Sequence, residues 1–339
     1  MGKLPLYSPL VDEPAPCPRQ GHAGLYWDKF FAYSGEFCTE KSIQLKDKAQ
    51  WLKYFDGKSV GHRQACEQAC LRLRRLTVAR GGISQVFKAS WRLVVGMGLP
   101  HPMDNGLLWH PVLGTPYLPG SAVKGLVRSW VEAWDDDDGL TDKKVRRARL
   151  RSWFGSEGKD PATQPDLPPG EVTADHKAGQ FIFFDALPTG SVKLKADVMT
   201  PHLGQWYEQG AINPGKPDTV PADWHSPVPI GFLTADQISL QFCIAPRHNA
   251  DCKALPLVFD ALKNALEWLG AGAKTAVGYG QMELDEKKTA EFQKILQEQA
   301  AAAHQAAQKH QRIGALDSCG RAIYTVIGDA AIGNDLGPL

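Results

Sequence analysis

The segment GAGAKTAVGYG, Gly270 to Gly280, constrains this chain most, because glycine at this density belongs where the backbone takes positive φ or packs against other backbone. An amphipathic helix precedes it, Leu257 to Leu269, with Val258, Leu262, Ala265, Leu266 and Leu269 facing inward, and a strand through Leu284 follows. Helix, loop, strand is the reverse of a dinucleotide-binding turn, and Thr275 stands where that fingerprint needs glycine or alanine. A Walker A loop needs glycine immediately before Lys274 and again five residues earlier, where Ala273 and Trp268 stand. Both nucleotide readings fail. One remaining reading is a donor-rich loop in which Gly272, Lys274 and Thr275 lie along a polynucleotide backbone and Tyr279 offers a ring to a base. The other is a tight turn, which explains the glycines but not Lys274 and Thr275.

A second segment, GTPYLPGSAVKGLVRSW, opens the most regular helix. Val123, Leu126, Val127, Trp130, Val131 and Trp134 form its apolar stripe, and Ser121 is the expected N-cap. Ser121, Lys124 and Arg128 fall on one face, with Gly125 among them. A helix start with free N–H groups, two cations and a glycine suits a phosphate backbone, whereas an ordinary exposed polar face accounts for the same residues. The S-x-x-K match to penicillin-binding enzymes fails on context: SDN is missing and Lys274-Thr275-Ala276 is the nearest approach to KTG.

A length of 339 residues allows one elaborated domain or two smaller ones. The net charge of +1 directs attention to local patches. The strongest is Gly61 to Arg92, where Arg63, Arg72, Arg74, Arg75, Arg80, Lys88 and Arg92 stand against the single acid Glu67. Its first part, Gly61 to Ala79, predicts a helix, and Gln85 to Gly96 predicts a strand with Trp91 among its inward residues. Arg72 and Arg75 are candidate phosphate contacts. The seven cysteines form no CxxC pair and fit reduced thiols, hence a cytoplasmic protein; Cys66 and Cys70 read as core residues. Met1 to Gln20, with five prolines and no apolar run, reads as an extended arm rather than a signal peptide or membrane anchor.

Gly179 to Leu187 predicts one buried strand and Gln237 to Ala245 another, while Glu286 to Arg312 is helical by propensity. Pro188 to Pro229 shows no sustained periodicity. The expected division is an extended arm and peripheral segment over 1–60, a core over 61–285 with an insertion at about 188–229, and a helix and tail over 286–339. Helices and strands fall in two loose β–helix–β sets, which indicates α+β. No metal site or cofactor is expected: His101, Asp104 and His110, and Asp175 with His176, lack metal or triad spacing. Trp27, Trp51, Trp206 and Trp224 are candidate stacking rings, with burial the commoner fate of such residues.

Taken together, Gly96 and Gly98, Pro116 to Arg128, and Gly270 to Gly280 resemble the RAMP superfamily of CRISPR proteins, with Leu118 and Ala122 as mild departures from its pattern. Within it, FFDALP (Phe183 to Pro188), ADVMTPH (Ala196 to His202) and SPVPIGFLT (Ser226 to Thr234) are similar to the group of sixth subunits of type III-B Cmr effectors. The resemblance implies a modified ferredoxin-like or RRM-like RAMP core with a thumb-like insertion and helical additions. It also implies a non-catalytic subunit that holds the 3′ portion of a CRISPR RNA and its paired target RNA. Its partners would be the other Cmr subunits, namely backbone, small and terminal RAMP subunits, with no membrane. Met199, His202 and Trp206 in the insertion are then candidate duplex contacts, expected to be mobile alone and ordered against RNA or a neighbour. The alternative is a RAMP-type metal-independent endoribonuclease using His101, Asp104 or His110 as acid and base.

Overall fold

The computed structural model describes residues 21–31, 45–134, 143–155, 178–201, 206, 220 and 227–315. The chain divides into two compact units, Met1–Glu286 and Lys287–Leu339. The first holds, in order, α1 (Ala23–Lys29), α2 (Leu45–Phe55), β1 (Ser59–Val60), α3 (Arg63–Ala79), β2 (Ile83–Ala89), β3 (Arg92–Leu93), α4 (Gly120–Trp134), α5 (Lys143–Phe154), β4 (Phe181–Phe183), β5 (Leu187–Pro188), β6 (Val192–Met199), β7 (Ile230–Asp236), β8 (Ser239–Pro246), α6 (Leu255–Asn264) and β9 (Met282–Leu284). The described part of the second belongs to the long helix α7 (Glu286–Ala315), whose first residue closes the first unit. The strands form two antiparallel sheets, so the chain is α+β. One sheet runs β4-β8-β2-β9 with β5 also on β8, and the other runs β1-β6-β7-β3.

Strand β8 explains why the first sheet needs helices on both sides: nearly every residue of SLQFCIAP is buried, as in a strand with no solvent face. Leu240, Phe242 and Ile244 join Phe87 in a core closed by Val123 and Val127 of α4 and Val258 and Leu262 of α6. The alternate residues face α3. There the Gln241 amide donates to the Cys70 carbonyl at 2.9 Å and accepts from Arg74 Nε at 3.1 Å. Arg74 is therefore a core residue, 2% exposed, rather than part of the basic surface, and burial holds its guanidinium below its ordinary value. Cys66 and Cys70, four residues apart on the inner face of α3, are fully buried.

The strand expected over Gly179 to Leu187 is two short strands. Three residues, Phe184 to Ala186, lie between the paired stretches, opposite only Phe242 and Cys243 of β8, so the chain bulges. The bulge has partners: Ala186 and Leu118 exchange backbone hydrogen bonds, and Asp185 accepts from the Gly120 N–H at 2.7 Å. A Cβ at Gly120 would overlap the Phe183 carbonyl, so α4 can start against β4 only with glycine. Gly120→Ala is expected to cost about 2–3 kcal/mol in urea unfolding through this overpacking, whereas Gly125→Ala, which meets nothing, is expected to be neutral or stabilising.

The second sheet corrects two expectations. Residues 21–31 and 45–60 are not peripheral: Trp27, Phe31, Trp51 and Phe55 are buried in an aromatic cluster, and Leu52 of α2 packs at Gly231 of β7. Trp27 and Trp51 are thus core, not stacking platforms. The segment 188–229 begins with a regular eight-residue strand, β6, paired with β7 from Lys193↔Asp236 to Met199↔Ile230. Its apolar residues Val192, Leu194 and Ala196 alternate with the charged Lys193, Lys195 and Asp197, a period-two pattern that the sequence does carry. The described part of that segment beyond 201 is limited to Trp206, Val220 and 227–229; His202 and Trp224 lie outside the described residues.

Candidate nucleic-acid interface

Helix α4 packs along α6 and along the π-helical turn Ala265–Leu269 that delivers the chain into Gly270, so the two lysine-bearing motifs are linked through adjacent elements. Lys124 is half-buried, Ser121 and Gly125 are exposed, and a Cβ at Gly125 would meet nothing within 4 Å. Arg128 is held by Glu132 at 2.7 Å, which lowers its value to an anion. Ser121 is not the N-cap. The helix begins at Gly120, Val123 N–H donates to the Pro119 carbonyl at 3.0 Å, and Asp185 occupies the first free N–H. That carboxylate works against a phosphate at the helix start itself, leaving Lys124 on the following turn as the open cation. No ion pair involves Lys124 or Lys274 among the described residues.

The glycine loop is sewn to the strand before it in space. Gly280 N–H donates to the Arg92 carbonyl at 2.7 Å, Ala273 N–H to Val94 at 2.8 Å, and Ala271 N–H to Gly280 at 2.8 Å. Gly280 needs positive φ (72°) and lies where a Cβ would overlap the Ala271 carbonyl; at Gly272 (87°) a Cβ would overlap the Val94 carbonyl. The tight-turn reading therefore holds at Gly272 and Gly280. Lys274 departs from the glycines: it is left-handed, with φ 59° and ψ 29°, in a place where glycine would be cheaper by roughly 1 kcal/mol. Its ammonium lies 5.6 Å from the Phe232 ring centre, and Thr275 opens a short 3-10 turn that ends at Gly278.

Tyr279 does not present its ring to a base. It is 5% exposed, packs with Val94 and Phe232, and donates its hydroxyl to Asp197 Oδ2 at 2.5 Å. The same oxygen takes an ion pair from Arg92, and Oδ1 accepts from the Val198 N–H at 2.9 Å. This hub joins β3, β6 and the loop. Nothing in the sequence signalled it, since Arg92 and Asp197 lie far apart in the chain. Burial alone would raise the Asp197 carboxyl, but the Tyr279 and Val198 hydrogen bonds and the Arg92 charge outweigh it and hold it below its ordinary value. Burial and then the Asp197 acceptor push the Tyr279 phenol up to about 12.

The sign of each shift sets an expected pH profile. A lowered carboxyl contributes stability above the unfolded carboxylate range, lost as pH falls through the folded value. A raised phenol contributes stability below its ordinary 10, lost between about 10 and 12. Urea midpoints across pH should therefore show Tyr279→Phe flattening the alkaline arm and Asp197→Asn flattening the acid arm. Arms identical to wild type in both variants would mean that the hub does not hold the loop.

The remaining candidates separate. Arg72 and Arg75 are exposed on α3, across the five-stranded sheet from α4, so they do not join the Lys124 face. Met199 is half-buried against the Phe232–Tyr279 cluster, and Trp206 is half-buried and helical. His101 stacks on Trp27 at 4.6 Å, accepts from the Met103 N–H and lies 3.1 Å from the Trp27 carbonyl; burial keeps its imidazole below its ordinary value. Asp104 pairs with Lys48 at 2.5 Å, and His110 Nδ1 accepts from Val112 and Leu113. The two imidazoles are thus held by backbone groups and the Asp104 carboxylate by Lys48. Among the described residues no group of three or more His, Cys, Asp or Glu is placed to hold a metal, and no helix is long and apolar enough to cross a membrane.

Comparison with known proteins places this site in a family. The CRISPR system Cmr subunit Cmr6 of Pyrococcus furiosus is 29% identical over 234 residues, 59% of this chain and 67% of the relative. The Cmr6 subunit of Saccharolobus solfataricus is 26% identical over 187 residues, 53% of this chain and 49% of the relative, so the chain spans about half the length of that protein. Among solved structures, the type III-B Cmr-beta complex bound to cognate target RNA aligns with TM-score 0.49 at 21% identity, over 75% of this chain and 78% of the matched one. The crystal structure of Cmr6 from Pyrococcus furiosus aligns with TM-score 0.32 at 25% identity, over 60% of this chain and 97% of the matched one. The RAMP superfamily model matches residues 87–283, which include both lysine motifs and the Asp197 hub, and the chain belongs to the RAMP superfamily.

Proposed function

We propose that this chain is a non-catalytic, RNA-holding subunit of a type III-B CRISPR ribonucleoprotein. It grips the phosphate backbone of the 3′ portion of the CRISPR RNA, with its paired target RNA, through Lys124 and the Gly270–Gly280 loop, beside the other Cmr subunits in the cytoplasm. The observation that carries this is Lys274: a cation kept in a left-handed conformation, in no ion pair among the described residues, in a loop whose other left-handed positions are glycine. The Cmr6 relatives support the assembly. Strand order β4-β8-β2-β9, with α4 between β2 and β4 and α6 between β8 and β9, supports a ferredoxin-like core. The face of that sheet which an RRM would use for bases, opposite α4 and α6, is covered by α3. Backbone contacts at the loop and at α4 are the means left, and they carry little sequence information.

Purification of the tagged chain from cells carrying the whole effector tests this. RNA of guide length should accompany it together with other RAMP proteins, and the chain incubated with labelled guide and target should leave both intact. Recovery of the other subunits without RNA would remove the holding role, and cleavage abolished by His101→Ala or Asp104→Ala would replace it with a nuclease.

A further inference from the structure

Trp91 reads in sequence as an inward strand residue, but the chain turns at Ser90 and Trp91 between β2 and β3 and leaves this indole 43% exposed. It is nevertheless held. The Arg92 guanidinium lies 4.9 Å from its ring centre and the Tyr279 ring 4.8 Å away at 44°. Both of these groups bind the same oxygen of Asp197, so they stand side by side and support the indole together. The Trp91 carbonyl also accepts from the Gln237 N–H at 2.8 Å, fixing the turn. Beside it, the outer part of the glycine loop is open: Val277 is 65% exposed and a Cβ at Gly278 would meet nothing within 4 Å.

Other exposed indoles lack this combination. Trp134 closes a helix and stacks on Trp130, and Trp268 has no ring or cation partner among the described residues. A ring that is already immobilised loses little side-chain entropy when a flat ligand covers its free area, and a guanidinium behind it adds a cation near the phosphates that accompany a base. From Lys274 the contacts run without a gap through Phe232 and Tyr279 to Trp91. We propose that Trp91 is a stacking platform for one unpaired base of an RNA strand whose backbone is held at Lys274, a contact that would select single-stranded nucleotides irrespective of base identity. The inference rests on the RNA-holding reading above.

The test compares two probes on the full chain, an oligouridylate and an abasic ribose-phosphate oligomer of equal length. Trp91→Ala should weaken oligouridylate binding about ten-fold and leave the abasic oligomer unchanged, while Trp91→Phe retains most of the affinity and Trp91→Leu does not. Photocrosslinking of 5-bromouridine oligomer should map to the Trp91 peptide. Equal weakening of both probes by Trp91→Ala, or none of either, overturns the platform while Lys274→Ala still reports on the backbone grip. Failure of the wild-type chain to bind either probe overturns both.

Discussion

Replacing Lys124 and Lys274 together with alanine is expected to lower the affinity of the full chain for single-stranded RNA about a hundred-fold at low salt, ten-fold for each lost charge-assisted contact. Both side chains are half-buried, so each cation acts where water screens it less than on an open surface, and neither is neutralised by an ion pair among the described residues. The folded state should be untouched: Lys124 stands on the polar face of α4, and Lys274→Ala removes no described hydrogen bond of its side chain. The salt dependence carries the diagnosis, because losing two phosphate contacts should reduce the slope of log affinity against log salt by about 1.4. An unchanged slope with reduced affinity would mean that the substitutions act through structure. Arg72→Ala with Arg75→Ala, on the far side of the sheet, is expected to leave affinity for a short RNA within about two-fold, since one short strand cannot span α3 and α4 at once.

Gly280→Ala is expected to be the most damaging single change in the loop, costing about 4 kcal/mol and abolishing RNA retention. The new methyl group would stand inside the Ala271 carbonyl at φ 72°, and the Gly280 N–H that donates to Arg92 at 2.7 Å would have to move. Because Arg92 is also the cation on Asp197, displacement at Gly280 reaches the Tyr279 hydroxyl and the β6–β7 hairpin in one step. Thermal melts and filter binding on the same variant separate the outcomes. A cost near zero with normal binding would show that the loop does not need this closure.

Much of the site was legible because local chemistry fixes it. Val123, Val127 and Val131 mark the buried stripe of α4 whatever lies opposite, and Gly272 and Gly280 mark backbone that cannot tolerate a side chain. Gly120 shows where local signals stop. Ser121 has the chemistry of an N-cap, but the close approach of Phe183 and the carboxylate of Asp185, both distant in sequence, accompany a helix start two residues earlier. Arg74 and Trp91 exchange their expected places for the same reason: a partner on β8 draws one arginine into the core, and the turn after β2 expels one indole. Strand β6 was legible in the alternation of Val192, Leu194 and Ala196 with Lys193, Lys195 and Asp197, whereas its partners across the sheet, Asp236 for Lys193 and Arg92 for Asp197, lie in no one window of sequence.

If Lys124 and the Lys274 loop hold RNA by its phosphates, a salt titration of RNA binding by the full wild-type chain will show it. Log affinity should fall linearly with log salt, by about 0.7 per phosphate engaged, with the same slope for oligomers of different base sequence. A flat dependence, or affinity that follows base sequence and ignores salt, would contradict it.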